Sequence, residues 1–275
     1  MSRLGTLVRP AVVGVVNVTP DSFSDGGEAF APDAAAERAR ALAAAGAALV
    51  DIGGESTRPG APAVPLEEEL RRVLPVLELL DGAVVVSIDT CKAEVARRAL
   101  ALGAVLVNDV TALRGDPDLA GVVAEAGAGL CLMHMRGDPR TMQDDPRYGD
   151  VVSEVAAFLE TRLAFAVAEG IPEEDICLDP GIGFGKTPDQ NLALVHGLPV
   201  LCALGRPVLV GLSRKSVFAK VTGAPGARVA SDTASVAAAV VAFGLGASLF
   251  RVHAVASHVE ALAIAAALER GTVAV

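Results

Sequence analysis

Polar side chains follow each of eight short apolar runs in this 275-residue sequence. A single polar residue would mean little there, because one often ends a buried run, but eight in succession indicate a chemical site. The set mixes carboxylates and amides, which accept hydrogen bonds, with cations that attract anions. In chain order its members are Asn17, Asp51, Asp89, Asn108 with Asp109, His134, Asp179, Ser213 to Lys215, and Arg251 with His253.

The basic members follow the last two runs. Arg214 and Lys215 come after the seventh run, and Arg251 and His253 come after the eighth. If the runs are strands of a parallel barrel, the loops after its last two strands frequently bind phosphate. We therefore expect a phosphorylated substrate, although an ion pair with a neighbouring carboxylate explains Arg251 equally well on its own.

Three other members, Asp89, Asn108 and Asp179, carry carboxylate or amide oxygens. Such groups pair well with amino and ring N–H donors, so they are suited to hold a flat, nitrogen-rich ring. General acid–base catalysis and a metal site are the alternatives. The spacing gives the metal site little support, because these residues form neither a D-x-D nor an H-x-H motif.

The glycine-rich segment 179–187 resembles a phosphate-binding loop but does not fit its pattern. Pro180 stands where that motif needs its first glycine. The dinucleotide-binding pattern fails too, because Lys186 stands where the third glycine would fall. The segment therefore predicts a turn after a strand, with Asp179 directed into the site.

The elements that must position these side chains alternate along the chain. Continuous apolar runs indicate strands buried on both faces, and Ala-rich helical patterns separate them. The predicted strands are Val12–Val16, Ala48–Ile52, Val84–Ile88, Val105–Val107, Leu130–Met133, Ile176–Leu178, Val208–Leu212 and Ser248–Val252. The predicted helices are Asp33–Ala45, Leu66–Leu80, Ala93–Leu102, Asp118–Ala126, Val151–Glu169, Pro188–Leu204 with an early end near Pro199, Ser231–Phe243 and Ser257–Glu269.

This alternation predicts an α/β fold of the (β/α)8 TIM-barrel type, with residues 1–275 as a single domain. A doubly wound open sheet uses the same units and is the alternative, although it usually needs fewer strands. In a barrel, the polar strand ends converge on one mouth. The connections 19–32 and 53–65 are rich in Gly, Ser, Thr and Pro, and we expect them to cover that mouth.

Composition excludes several other classes of protein. The net charge of −10 and the lack of a Lys/Arg-rich run argue against a nucleic-acid partner. Four cysteines without a C-x-x-C pair predict small buried side chains rather than disulfides or zinc ligands. The apolar stretch Ala234–Phe250 is interpreted as a helix and a strand rather than a membrane span, and no signal peptide is recognisable. We expect a soluble, cytoplasmic protein.

Two long segments give a more specific indication. Residues 17–27, NVTPDSFSDGG, and residues 51–60, DIGGESTRPG, resemble the two signature segments of the dihydropteroate synthase family. Shorter matches continue in order to the last predicted strand, so the resemblance spans the chain. They are SIDT at 87–90, NDV at 108–110, LMHMR at 132–136, LDPGIGF at 178–184, GLSRK at 211–215 and RVH at 251–253.

The resemblance implies a (β/α)8 barrel that joins 6-hydroxymethyl-7,8-dihydropterin diphosphate to p-aminobenzoate and releases diphosphate. It implies a cytoplasmic enzyme that is commonly a homodimer and that uses Mg²⁺ bound through Asn17. Catalysis would be a dissociative substitution, in which the diphosphate departs before the amine bonds. The residues implied to act in that step are Asp25, Asp89, Lys215, Arg251 and His253.

The same resemblance implies three binding regions at the mouth. The pterin pocket would comprise Asp89, Asn108, Met133, Asp179, Phe184 and Lys215. Diphosphate would bind Arg251 and His253. The p-aminobenzoate pocket would comprise Phe23, Ser24, Arg58 and Pro59, with Thr57 against the substrate and Ser216 near its carboxylate.

Ala254 departs from the family pattern, which usually has Asp after the histidine of the last strand. If that Asp caps the following helix or orients the histidine, its loss weakens the helix or diphosphate binding modestly, and we favour the lost cap. Two alternatives remain open. One is a pterin-dependent methyltransferase domain, which would have no use for the TPDSFSD loop or a basic diphosphate end. The other is a catalytically silent pterin-binding paralogue, for which Ala254 is the only support.

Overall fold

The apolar runs form the strands of one parallel sheet in the computed structural model, which describes residues 4–5, 7–19, 32–57, 60–138, 141–223 and 229–272. The strands are β1 Ala11–Asn17, β2 Leu49–Gly53, β3 Val86–Asp89, β4 Leu106–Asp109, β5 Gly129–Met133, β6 Ile176–Asp179, β7 Leu209–Val210 and β8 Leu249–Val252. Each predicted strand is confirmed, and all eight lie within two residues of the predicted bounds.

The sheet closes on itself. Its strand order is β6-β5-β4-β3-β2-β1-β8-β7. Leu178 of β6 also bridges in parallel to Val208, and its backbone N–H donates to the Pro207 carbonyl at 2.9 Å. This contact joins the two ends of the sheet, so the (β/α)8 barrel is confirmed and the open doubly wound sheet is wrong.

Helices cover the outside of the barrel. Within the described residues they are α1 Pro32–Ala44, α2 Leu66–Leu80, α3 Ala93–Ala101, α4 Leu119–Ala126, α5 Val151–Ala168, α6 Pro188–His196, α7 Leu198–Cys202, α8 Ser216–Thr222, α9 Asp232–Gly244 and α10 Val255–Arg270. The early end of the sixth predicted helix is confirmed, because α6 stops before Gly197 and Pro199 lies in the first turn of α7. Two details differ from the prediction: β7 ends at Val210 rather than Leu212, and α8 follows it. None of the described helices is long and apolar enough to span a bilayer.

Alternation along each strand separates two sides of the sheet. Leu49, Leu106 and Leu249 belong to an apolar cluster with Cys131 and Cys177, whereas the intervening strand residues join the larger core under the helices. Side chains two residues apart share a face of a strand. The inner cluster therefore leads upward to Asp51, Asn108 and Arg251, which line the same small interior cavity. All four cysteines are free thiols; Cys131 and Cys177 are buried as predicted, whereas Cys91 and Cys202 are only half-buried.

The turn after β6 explains the glycine-rich segment. Gly181 and Gly183 have φ values of +66° and +86°, in the left-handed region that favours glycine. The Lys186 ammonium is buried in this turn and donates to the carbonyls of Gly181 and Phe184, each at 2.9 Å. It also lies 3.0 Å from Nδ1 of His134. Burial lowers the pKa of Lys186 to about 7. The lysine thus holds the turn together by its own contacts.

Replacing Gly181 with Ala should destabilise the fold severely. A Cβ there would lie 1.9 Å from the His134 carbonyl oxygen, so the backbone must shift. We expect a loss of more than about 4 kcal/mol in the free energy of unfolding, measured by urea denaturation.

Gly205→Ala is the matched control. Its φ is +78°, but an added Cβ meets nothing within 4 Å. This variant should lose only about 1–2 kcal/mol, the strain of a left-handed non-glycine residue. Equal losses in the two variants would contradict the close approach at Gly181.

Candidate active site

Four polar side chains from neighbouring strands lie buried at the carboxyl end of the barrel: Asp51, Asp89, Asn108 and Asp179. Strand register places Asp89 beside Asn108, and places Met133 beside Asp179. The structure therefore brings the three ring-binding candidates together at one mouth. Asp51 had been noted only as a strand end, and no role was predicted for it.

Arg251 lies between two of these carboxylates. Its Nε donates to Oδ2 of Asp51 at 2.6 Å, and its Nη2 donates to Oδ2 of Asp89 at 2.7 Å. Asn108 also donates to Oδ2 of Asp51, at 3.1 Å. The alternative that Arg251 pairs with a carboxylate is thus observed, and with two of them. Its assignment to diphosphate remains a prediction.

Burial and charge oppose each other in this triad. The pKa of Asp89 is raised to about 7, mainly by burial, with Arg251 opposing the rise and the nearby Asp51 adding to it. Burial alone would lower the pKa of Arg251, but the Asp51 and Asp89 carboxylates outweigh it and raise the pKa above its ordinary value. The guanidinium therefore stays charged, while Asp89 is poised to change its protonation near neutral pH.

Asp179 and Lys215 form the next part of the mouth. Oδ1 of Asp179 accepts the Gly181 N–H at 2.7 Å, which fixes the carboxylate at the start of the turn. The Lys215 ammonium lies 4.4 Å from the centre of the Phe184 ring. Burial lowers the pKa of Lys215 to about 8, although Asp179 pulls it upward. Burial likewise raises the pKa of Asp179.

An apolar wall stands beside these charges. Met133 and Phe184, both predicted, pack in one cluster with Val110, Met135 and Met142. The last three were not predicted. Val110 and Met135 lie inside the matched segments 108–110 and 132–136, but no role was predicted for them. Met142 comes from the loop after β5 and gives no sequence signal, because only the folded loop brings it to the cluster.

His253 contacts the loop after β7. Its Nδ1 lies 3.0 Å from Oγ of Ser213. Burial lowers the pKa of His253 to about 4, and the cations of Arg214, Arg251 and Lys215 add to this effect. Ala254 stands at the N-cap position of α10, where its side chain offers no capping hydrogen bond, and this position is consistent with a lost cap.

The loop after β2 is anchored at both ends. The Lys92 ammonium bridges Glu55, in the signature segment, and the fully buried Glu69 of α2. Oε1 of Glu69 accepts from the Thr90 hydroxyl at 2.7 Å, and Oε1 of Glu55 accepts from the Val64 N–H at 3.1 Å. This ionic network was missed, because it joins residues from three separate segments. It fixes the ends of the loop that carries Thr57.

The structure describes only some of the remaining predicted site residues. Asn17 ends β1 beside Gly53 and is partly exposed, as is Thr57, while Ser216 is exposed at the start of α8. Among the described ranges, no group of three or more His, Cys, Asp or Glu side chains is arranged to hold a metal ion. Five predictions lie outside the described residues: Phe23, Ser24, Asp25, Arg58 and Pro59.

Known proteins resemble the chain along nearly its whole length. Residues 13–253 match the family described as pterin binding enzyme. A protein of Neisseria meningitidis serogroup C named dihydropteroate synthase is 46% identical over 261 residues, which cover 93% of this chain and 92% of the relative. The chain belongs to the dihydropteroate synthase family.

Solved structures of this family have the same fold. The dihydropteroate synthase of Xanthomonas albilineans with 4-aminobenzoic acid is 50% identical, with a TM-score of 0.87 over 95% of this chain and 93% of that one. The synthase of Burkholderia cenocepacia complexed with 7,8-dihydropteroate is 47% identical, with a TM-score of 0.84 over 97% and 94%. Membership in the synthase family leaves the methyltransferase alternative without support.

Arg251→Met should cost about 3–5 kcal/mol of folding free energy, because it leaves Asp51 and Asp89 buried without a cation. The variant should regain part of this stability progressively as pH falls from about 8 toward the ordinary carboxyl pKa of about 4, measured by urea unfolding. A carboxyl whose folded-state pKa is raised is destabilising when ionised, and the cost is relieved as pH falls from the raised pKa toward the unfolded-state value.

Arg147→Met serves as the control. Its partner is Asp145, and both side chains are largely exposed. Such a pair is worth about 0–1 kcal/mol. Two results would contradict a stabilising role for the buried triad. One is a loss in the free energy of unfolding for Arg251→Met that is no larger than for Arg147→Met. The other is an Arg251→Met variant whose stability rises with pH.

Proposed function

We propose that this chain condenses 6-hydroxymethyl-7,8-dihydropterin diphosphate with p-aminobenzoate to give 7,8-dihydropteroate and diphosphate, as a dihydropteroate synthase. The observation that carries the proposal is the composition of the buried mouth, where Asp89, Asn108 and Asp179 lie within one cluster with Lys215 and Arg251. Acceptors for a nitrogen-rich ring and cations for a diphosphate thus occur together. The family relationship gives the reaction independent support.

We assign the pterin to the acidic half of the mouth. Asp89, Asn108 and Asp179 would accept from or donate to the ring edge, and Lys215 would add a charged donor. Met133 and Phe184 would pack against the ring faces. The elevated pKa values of Asp89 and Asp179 allow either carboxyl group to adapt its protonation to the ring edge.

We assign the diphosphate to Arg251 and His253. As the bond from the pterin methylene carbon to the diphosphate oxygen breaks, negative charge grows on the leaving group and positive charge on the pterin. Arg251, His253 and Lys215 would stabilise the anion, while Asp89 and Asp25 would stabilise the cation. The amine nitrogen of p-aminobenzoate then bonds to the carbon and loses a proton. No nucleophilic side chain is required.

Mg²⁺ fits the same end of the barrel as a cofactor. Asn17 ends β1 and offers one amide oxygen, the hard type of ligand that Mg²⁺ accepts. Because Mg²⁺ usually binds through substrate phosphates and retained waters, a single protein oxygen suits it. When bound, the ion would neutralise charge on diphosphate oxygens.

The p-aminobenzoate pocket is assigned to the loops above the pterin. Phe23, Ser24, Arg58 and Pro59 would surround the aromatic ring, with Thr57 at its edge. Ser216, exposed at the start of α8, would hold the carboxylate. The Lys92 network supports this assignment, because it holds the ends of the second loop in place while leaving its centre to contact the substrate.

The experiment mixes purified protein with the pterin diphosphate, p-aminobenzoate and Mg²⁺. Dihydropteroate should form in equal amount to released diphosphate. Diphosphate release that ignores p-aminobenzoate would contradict the synthase proposal. Pterin binding without any turnover would favour the catalytically silent paralogue.

Two variants test the division of the mouth. Lys215→Ala should weaken binding of the pterin diphosphate by about ten- to hundredfold in calorimetry, because a charged hydrogen bond is lost, and turnover should fall with it. Arg58→Ala should mainly raise the KM for p-aminobenzoate. Abolished binding of the pterin diphosphate in Arg58→Ala would show that the assignment is wrong.

We also propose a cytoplasmic homodimer. A reducing compartment fits the free thiols of all four cysteines. Val241 of α9 and Ile264 and Leu268 of α10 are exposed apolar side chains on two neighbouring helices, a surface that suits a two-fold contact.

Ile264→Glu should convert the dimer to a monomer in size-exclusion chromatography with light scattering. Val200→Glu, at an equally exposed apolar residue of α7, should leave the dimer intact. A wild-type monomer at micromolar concentration, or a dimer that both variants disrupt, would count against this interface.

A further inference from the structure

We propose that the hydroxyl of Ser213 fixes the tautomer of His253, so that a neutral imidazole presents its Nε2–H to the leaving diphosphate. Ser213 acts in this assignment as a positioning residue. The role of the N–H rests on the proposed function, whereas the tautomer itself can be tested without substrate.

The Ser213 hydroxyl has two contacts with His253, and together they constrain the directions of its hydrogen bonds. Oγ of Ser213 lies 3.2 Å from the backbone nitrogen of His253 and 3.0 Å from Nδ1 of its ring. A backbone N–H can only donate, so the Ser213 oxygen accepts it. The hydroxyl proton then needs an acceptor, and Nδ1 is the acceptor that the described hydrogen bonds of Ser213 provide. With the hydroxyl proton donated to Nδ1, we assign an unprotonated Nδ1 and place the ring proton on Nε2.

The surroundings of His253 keep its imidazole neutral, so the tautomer determines which ring nitrogen can donate a hydrogen bond. Burial is the main reason that the pKa of His253 falls to about 4, and Arg214, Arg251 and Lys215 lower it further against the opposing charge of Asp232. A neutral imidazole has only one N–H, so the hydrogen bond at Nδ1 decides whether the ring can donate through Nε2. A donor aimed at a developing anion stabilises it.

Ser213 is itself held in place. The next residue, Arg214, has a φ of +59°, and its backbone N–H donates to Oγ of Ser235 at 2.9 Å. Its guanidinium makes two bonds to Asp232, at 2.9 and 3.1 Å. These contacts tie the turn to the first turn of α9. Ala254 has no polar side chain with which to orient His253, so Ser213 supplies that constraint.

The test reads the tautomer by nitrogen NMR of protein labelled with ¹⁵N-histidine near neutral pH. The chain has 4 histidines, and His253→Gln identifies the signals of His253. Wild type should show an unprotonated Nδ1 and a protonated Nε2. Ser213→Ala should show a mixture of the two tautomers, and Ser213→Thr should restore the wild-type pattern. A wild-type Nδ1–H, a doubly protonated ring, or an unchanged tautomer in Ser213→Ala would overturn the proposal.

A second measurement tests the donor role with inorganic diphosphate and Mg²⁺ in calorimetry. Ser213→Ala should bind diphosphate about tenfold more weakly, the loss of one hydrogen bond, and Ser213→Thr within about threefold of wild type. Equal affinity in wild type and Ser213→Ala would overturn the donor role. If Ser213→Ala does not fold, the proposal is tested by the NMR spectra of wild type and Ser213→Thr, both of which should show the unprotonated Nδ1. If the protein shows the predicted tautomer but makes no dihydropteroate, that result contradicts the proposed function and leaves the tautomer assignment intact.

Discussion

The buried ion triad of Arg251, Asp51 and Asp89 is the interaction on which the mouth of the barrel depends. Two carboxylates of nearly complete burial would be prohibitively costly without a cation between them. The guanidinium reaches them across 200 and 162 residues of sequence, from β8 to β2 and β3. The three side chains come from the stretch β3-β2-β1-β8 of the sheet, so the curvature of these neighbouring strands assembles this part of the site.

This triad also links the residues assigned to the pterin ring with those assigned to the leaving group. The sequence suggested separate sets of residues for the ring and for the leaving group. Arg251 contacts Asp89, which is assigned to the pterin, while it is itself assigned to the diphosphate. If the diphosphate binds Arg251, the guanidinium must divide its hydrogen bonds between that anion and the carboxylates of Asp51 and Asp89. The two halves of the mouth are therefore coupled through one side chain.

Much of the fold and the site could be predicted because both depend on local patterns. Apolar runs and their polar ends fix the strands, and alternation fixes which side chains share the interior, so Asp89, Asn108 and Asp179 were found together. Contacts between distant segments could not be predicted. The pairing of Asp51 with Arg251 requires the curved sheet that brings β8 within reach of β2, and Met142 reaches the apolar wall through a folded loop. The burial of Lys186 against carbonyls likewise follows from backbone geometry that composition does not reveal.

The division of the mouth between pterin and diphosphate can be observed in a crystal structure of the chain with the pterin diphosphate and Mg²⁺. The pterin edge should form hydrogen bonds with Asp89, Asn108 and Asp179, and the diphosphate should lie within hydrogen-bond distance of both Arg251 and Nε2 of His253. Arg251 should keep its bond to Asp51 and give up or share its bond to Asp89. A diphosphate bound away from Arg251, with both hydrogen bonds from Arg251 to the carboxylates unchanged and the ring outside the barrel mouth, would contradict these assignments.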